Sequence, residues 1–374
     1  WNNGNAVLDG ELVTGLNQRG LPITNLSWTK NTTSNIGFDL TMFNNRLKIT
    51  ADAFRKDITG VPAARYDVLL PSEVGYTLPN ENLNKQAYIG AEGMVTWTDH
   101  IGDLNYTVSG NFTFSRYKSI ETYKPRFNNS WDEYRNSAEG RWGGIYWGYQ
   151  VIGQFQSEEE IRNYPVNLDG NNNRTLLPGD FIYKDVNGDG IINGMDERPI
   201  GYPEGWAPIM SFGGNIGLAW KGIDLNIDLS GGAMQGWRQN YELANAYHGN
   251  GNSPVYLLED RWHRADLYDP ESEWIPGRYP AIRKGEFSYN NKNSDFWLHN
   301  VRYLRIKNLE VGYSLPAQLL RPIRAQKVRI YANVSNLCSF DNVGKFGVDP
   351  EITAAAAVVY PQQRTFLLGF NITY

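Results

Sequence analysis

Residues 185–197 read DVNGDGIINGMDE, the spacing of a calcium loop without its helices. Asp185, Asn187, Asp189 and Asp196 would supply side-chain oxygens, Ile191 its main-chain carbonyl, and Gly190 the sharp turn between them. Calcium (Ca2+) is therefore the expected cofactor, and its role is structural. An EF-hand needs a helix on each side. The upstream FIYK is strand-like, and Pro199 and Pro203 follow the loop. A dockerin would carry a second copy of the loop, and none is present. A metal-braced turn in a long loop is expected, against the plainer alternative of an acidic turn with no metal.

Catalytic chemistry finds no support. His100, His248, His263 and His299 make no zinc spacing, and neither a GxSxG elbow nor a phosphate-cradling GxxxxGK[ST] occurs. The chain is not expected to be an enzyme. Aromatic side chains are 13% of the chain, with 23 Tyr and 12 Trp. Trp131, Trp142, Trp147, Trp206 and Trp237 fall in or beside long loops, where a ring stacks on an apolar sugar face. These five are the candidate substrate-binding residues, with loop packing or an interfacial girdle as the alternative. SEEEIRNY (157–164) opens like a capping box and predicts a short surface helix.

The elements that must position these residues are strands. SNIGFDLTMF (34–43) puts Ile36, Phe38, Leu40 and Met42 on one face, and Asn44-Asn45 then leads into RLKITADAFRKD. The same grammar recurs at 88–98, 104–117, 211–220, 223–232, 301–315, 327–337 and 364–374, about nine strands in all. Links alternate short (44–45, 99–102, 221–222, 316–326) and long (58–86, 118–207, 233–299, 338–363). An up-and-down outer-membrane barrel has short periplasmic turns and long extracellular loops, and counting back from Tyr374 keeps that parity throughout. No apolar run approaches the roughly 18–20 residues of a membrane helix. A net charge of -5 argues against nucleic acid, and the single Cys338 excludes an internal disulfide.

Several blocks resemble SusC-like TonB-dependent outer-membrane transporters of Bacteroidetes. They are ITNLSWTKNTTSNIGFDLTMFNNRLKITADAFRKDITG, PGDFIYKDVNGDGIINGMDERPIG, APIMSFGGNIGLAWKGIDLNIDLSGGAMQG, FWLHNVRYLRIKNLEVGYSLP, VRIYANVSNLCSF, GVDPEI and YPQQRTFLLGFNITY, in order along nearly the whole chain. The resemblance implies a transmembrane up-and-down antiparallel β-barrel of about 22 strands with a plug. Residues 1–374 would be its C-terminal portion, without the plug and N-terminal strands. It implies multi-pass residence in the outer membrane, among its lipids, and import of a glycan or peptide oligomer. A SusD-like lipoprotein would form the lid, and TonB would supply the energy. The alternatives are a siderophore-type receptor of the same mechanism and an extracellular calcium-dependent binding protein.

Overall fold

A computed structural model describes the chain except residues 1, 18–20, 22, 24, 66, 205–206, 284–286 and 352–361. Nine strands form one large sheet: β1 (Lys30–Met42), β2 (Leu47–Ala63), β3 (Glu81–Ile101), β4 (Leu104–Glu121), β5 (Met210–Trp220), β6 (Ile223–Arg238), β7 (Leu298–Ser314), β8 (Lys327–Asp341) and β9 (Thr365–Thr373). Each lies beside its neighbour in sequence, so the sheet is a continuous meander. All nine expected strands are present. Most run further into the long links than alternation suggests: β3 starts at Glu81 rather than near Tyr88, and β6 continues to Arg238.

Three of the four short links are tight hairpin turns, while the fourth, between Ser314 and Lys327, carries a short helix (Ala317–Leu320) and a 3-10 turn (Arg321–Ile323). Phe43, Asn44 and Asn45 all have positive φ (55°, 53°, 68°), as do Lys221 (47°) and Gly222 (89°). Such primed turns match the twist of the strands they join, and Asn and Gly tolerate them best. The first link occupies 43–46 rather than two residues alone, and the second shrinks to Gly102-Asp103.

The chain divides into two compact units. The smaller comprises Trp1–Ile36, Ala53–Gly90 and Arg116–Gly143. It includes a separate hairpin, Asn2–Leu8 with Glu11–Asn17, which alternation did not single out. Its 64–80 link is held by charge. Arg65 donates two hydrogen bonds to Asp67 (3.2 and 3.1 Å), and the Tyr123 hydroxyl adds a third at 3.1 Å. Arg65 holds the Asp67 carboxyl well below the usual carboxylate range, with help from Tyr123.

The larger unit comprises Gly37–Asp52, Ala91–Ser115 and Gly144–Tyr374. Directly opposed residues in an antiparallel ladder share a face. One row runs Trp220, Ile223, Tyr313, Ile330, Phe370; the next Leu218, Leu225, Val311, Ala332, Leu368; a third Ile216, Ile227, Leu309, Val334, Phe366. This apolar face is open: Phe366, Leu368 and Phe370 are 70%, 80% and 70% exposed. The opposite face is polar and cross-linked. Asn215 donates to Asn226 (2.8 Å) and Asp228 (2.7 Å), Asn333 donates to Asn308 (2.8 Å), and Arg329 bridges Asp224 (3.0 Å) and Glu310 (2.7 Å). Gly312 makes room for this network, because a β-carbon there would strike the Arg329 guanidinium.

The long links 144–209 and 239–297 build a body with its own core. Phe155, Leu168, Phe181, Tyr183, Leu257, Tyr279 and Trp297 are all buried in it. The expected helix is there, α1 (Glu158–Asn163), capped by Ser157, whose side chain accepts from Glu160 N at 3.1 Å. Glu160 reaches back to the main-chain N–H of Gln156 at 2.7 Å, one residue earlier than the usual capping box. A second cluster joins Trp237, Val301 and Tyr303 to Val343, Phe346 and Val348 of the last long link.

Candidate functional site

The acidic turn lies where the sequence places it, between a strand at Phe181–Tyr183 and a short 3-10 turn at Gly194–Asp196. Asp185 accepts from the main-chain N–H of Gly188 (2.7 Å) and Gly190 (2.9 Å). Asn187 accepts from Asp189 N (3.2 Å) and donates to the Asp189 carboxylate (2.8 Å), which also accepts from Ile191 N (3.0 Å). Those bonds, Asn187 first, hold Asp189 below its ordinary pKa.

Asp196 behaves differently. It is fully buried and accepts from Val186 N and Asn193 N, each at 2.9 Å, closing a capping box with Asn193. The oxygen donors suit a hard divalent cation in type. Asp196, however, is turned inward as a brace. Among the described residues no three carboxylate, imidazole or thiolate side chains converge as a metal group. Asn167 N takes the Gly190 carbonyl at 2.8 Å and ties the turn to the body.

The five tryptophans do not form one site. Trp131 sits on a short helix, Ser130–Asn136, beside Tyr134, with ring centroids 5.4 Å apart. Trp142 pairs with Lys118 across a β-bridge, and Arg116 and Lys118 each lie 5.5 Å from its ring. Both belong to the smaller unit. Trp147 lies on a strand in the larger unit, paired with Pro199. Trp206 is outside the described residues. Trp237 corrects the expectation: it is 3% exposed, stacked on His299 at 5.4 Å and against Phe346 at 5.7 Å, so its ring faces are taken by protein. The cause is a bulge in β6 between Gly232 and Gln235, with Met234 at φ 63°, which resets the alternation.

Sequence inspection missed the polar centre of the body. Asp180 is fully buried, ion-paired with Arg283, and accepts from Asn290 Nδ2 (2.8 Å) and Leu177 N (2.8 Å). Burial raises its pKa, against the pull of Arg283. Lys292 lies 5.0, 5.3 and 5.1 Å from the rings of Tyr149, Tyr183 and Tyr289, a three-sided aromatic cage. Burial lowers the Lys292 pKa. Both features join segments about a hundred residues apart, and no local spacing announces that.

The fold is an all-β meander with one open apolar face, one cross-linked polar face and alternating link lengths, and its likenesses are to TonB-dependent receptors. The chain superposes on the RagAB peptide importer in its open-open state with a TM-score of 0.68 and 19% identity, over 100% of this chain and 37% of that one. Its relatives by sequence are TonB-dependent receptors. It is 25% identical over 398 residues to TonB-dependent receptor P3 of Formosa agariphila, covering 99% of this chain and 36% of the relative. It is likewise 25% identical over 373 residues to TonB-dependent receptor SusC of Bacteroides thetaiotaomicron, covering 94% and 32%. The chain thus spans about a third of the length of the curated relatives it matches. No protein-family model matches it. The resemblance read from the sequence blocks therefore holds across the chain. These relatives are receptors and transporters, not enzymes.

Proposed function

We propose that this chain is the C-terminal portion of the barrel of a TonB-dependent importer in the outer membrane. The two-faced sheet carries the proposal. An apolar face as open as Phe366, Leu368 and Phe370 is a liability in water and a requirement in lipid. The polar ladder of Asn226, Asp228, Asn308, Glu310 and Arg329 suits a lumen. The edge strands β1 and β9 would pair with further strands of a complete receptor, since lipid tolerates no open edge. A barrel of about 22 strands with a plug satisfies that need.

The cargo in this reading is a nutrient oligomer, glycan or peptide. A SusD-like lipoprotein caps the mouth, and TonB supplies the energy. The body formed by 144–209 and 239–297 is the part of this chain that faces that lid. Calcium at the 185–196 turn is proposed as an accessory ligand of Asp185, Asn187 and Asp189. Detergent extraction of a tagged full-length receptor, followed by mass spectrometry, tests the assembly. A stoichiometric surface lipoprotein is expected. Recovery in the soluble fraction would overturn the membrane reading, and a receptor that purifies alone would overturn the lid.

A further inference from the structure

The last long link folds back on the sheet. At Asp341 the chain turns about its carboxylate, which accepts from Val343 N (3.0 Å) and Gly344 N (2.5 Å). A 3-10 turn at Gly344–Phe346 then ends on Gly347 at a φ of 75°. From there the segment runs along β7. Asn342 bonds Asn300 O (2.8 Å) and Arg302 N (3.1 Å). Val343, Phe346 and Val348 pack with Trp237, Val301 and Tyr303. Asp349 and Glu351 reach Arg305 at 2.6 and 3.1 Å, and Glu351 reaches Lys307 at 2.8 Å. The stretch from Val301 to Lys307 is about 20 Å of strand.

The face it covers is the polar one. Tyr303 and Arg305 alternate with Leu304 and Ile306, and Ile306 stands opposite Leu229 on the apolar side. Arg305 is 4% exposed, with the Gln362 side-chain oxygen as a further partner at 2.9 Å. A buried guanidinium without its carboxylates is costly, so these ion pairs act as a latch. The Phe346 ring closes over Trp237 and His299, with centroids 5.7 and 4.7 Å apart.

No ladder holds the segment down. Among the described residues, the bonds between main-chain groups within 342–351 are local to its own turn: Phe346 N to Val343 O and Gly347 N to Gly344 O, each 2.9 Å. The pairing of β7 with β8, from Tyr303 opposite Asp341 to Ser314 opposite Arg329, is made without it. A segment held by side chains alone opens at lower cost than the strands beneath it.

We propose that residues 342–351 are a strap folded against the lumen wall and latched by Arg305, whose release widens the conduit there and bares Trp237, Tyr303 and Arg305 to passing cargo. This rests on the import reading, which makes the polar face the lumen.

The test uses the full-length receptor, with whatever partner co-purifies, in lipid vesicles. A spin label is placed at exposed Lys345 as Lys345→Cys in a Cys338→Ser background. The label is expected to be restricted, and to be relaxed by a water-soluble nickel chelate rather than by oxygen dissolved in the bilayer. Arg305→Met strands the strap's carboxylates, and should raise the mobile fraction about tenfold or more while the strands keep their resistance to proteolysis. Asp349→Asn with Glu351→Gln breaks the latch from the other side, should Arg305→Met misfold, and should have the same effect. A label already mobile in the unaltered latch, no gain in mobility in either variant, loss of strand protection together with the strap, or a preference for oxygen would overturn the strap. Any of these in a receptor that has entered the vesicles leaves the import reading standing. A receptor that does not enter them overturns both, so the two failures are distinguishable.

Discussion

Leu368 and Trp297 are large apolar side chains in the same unit, one 80% exposed and the other 1%. The first belongs to a sheet whose apolar rows face outward. The second belongs to a body of loops that covers its own rings. The sheet needs a medium to complete it. The body completes itself through Phe181, Tyr183, Tyr279 and Trp297, whose rings meet edge-on or stacked. Stability in one region is set by lipid and neighbouring strands, and in the other by side-chain packing.

Trp297→Ala should therefore be the most damaging change. Truncating a fully buried Trp costs about 3–5 kcal/mol. Limited proteolysis should cut within 144–209 and 239–297 while the strands stay protected. Loss of protection in both regions alike would mean that the body has no core of its own. Next in size, Leu368→Arg on the outer face should cost about 2–4 kcal/mol of barrel stability at mid-membrane depth. Urea titration in lipid vesicles would show it, and loss of the body's protection with it would blur the distinction between the regions.

A smaller effect is expected at the acidic turn. Calcium chelation, or Asp185→Ala with Asp189→Ala, should raise protease sensitivity near 185–196 and lower metal content. If the turn digests alike with and without calcium, its main-chain hydrogen bonds suffice. The smallest effect concerns the 64–80 link. The folded pKa of Asp67 is depressed, so its contribution is present above the unfolded value of about 4 and fades as pH falls below it. A spin label at exposed Leu69 should gain mobility only as pH falls below about 4, increasingly toward the depressed folded value, and Asp67→Asn should remove the dependence.

The strand core was legible because one face is apolar and the other polar. Ile223 to Leu229 against Asp224 to Asp228 leaves little choice of register, and Lys221-Gly222 announces its turn. The outer ends were not legible. Segments such as ENLNKQ at the start of β3 have no apolar partner face, so period two is invisible there. Trp237 was misplaced because a bulge is a single-residue event within an otherwise regular pattern. The loop body was hidden for a different reason. Phe155, Leu168, Phe181, Tyr279 and Trp297 follow no period and join only in three dimensions.

The body's core is built from two stretches of chain, with the β5–β6 hairpin between them. Joining those stretches first would mean closing a long, floppy loop at full entropic cost. Once the hairpin zips, Met210 stands opposite Ala233 and the two stretches emerge side by side. The order of assembly is thereby biased: local hairpin first, distant aromatic contacts after. A chain arrested before β6 is made would leave Phe155 and Phe181 without their later partners, and a chaperone that shields aromatic surface would have its longest task at that moment.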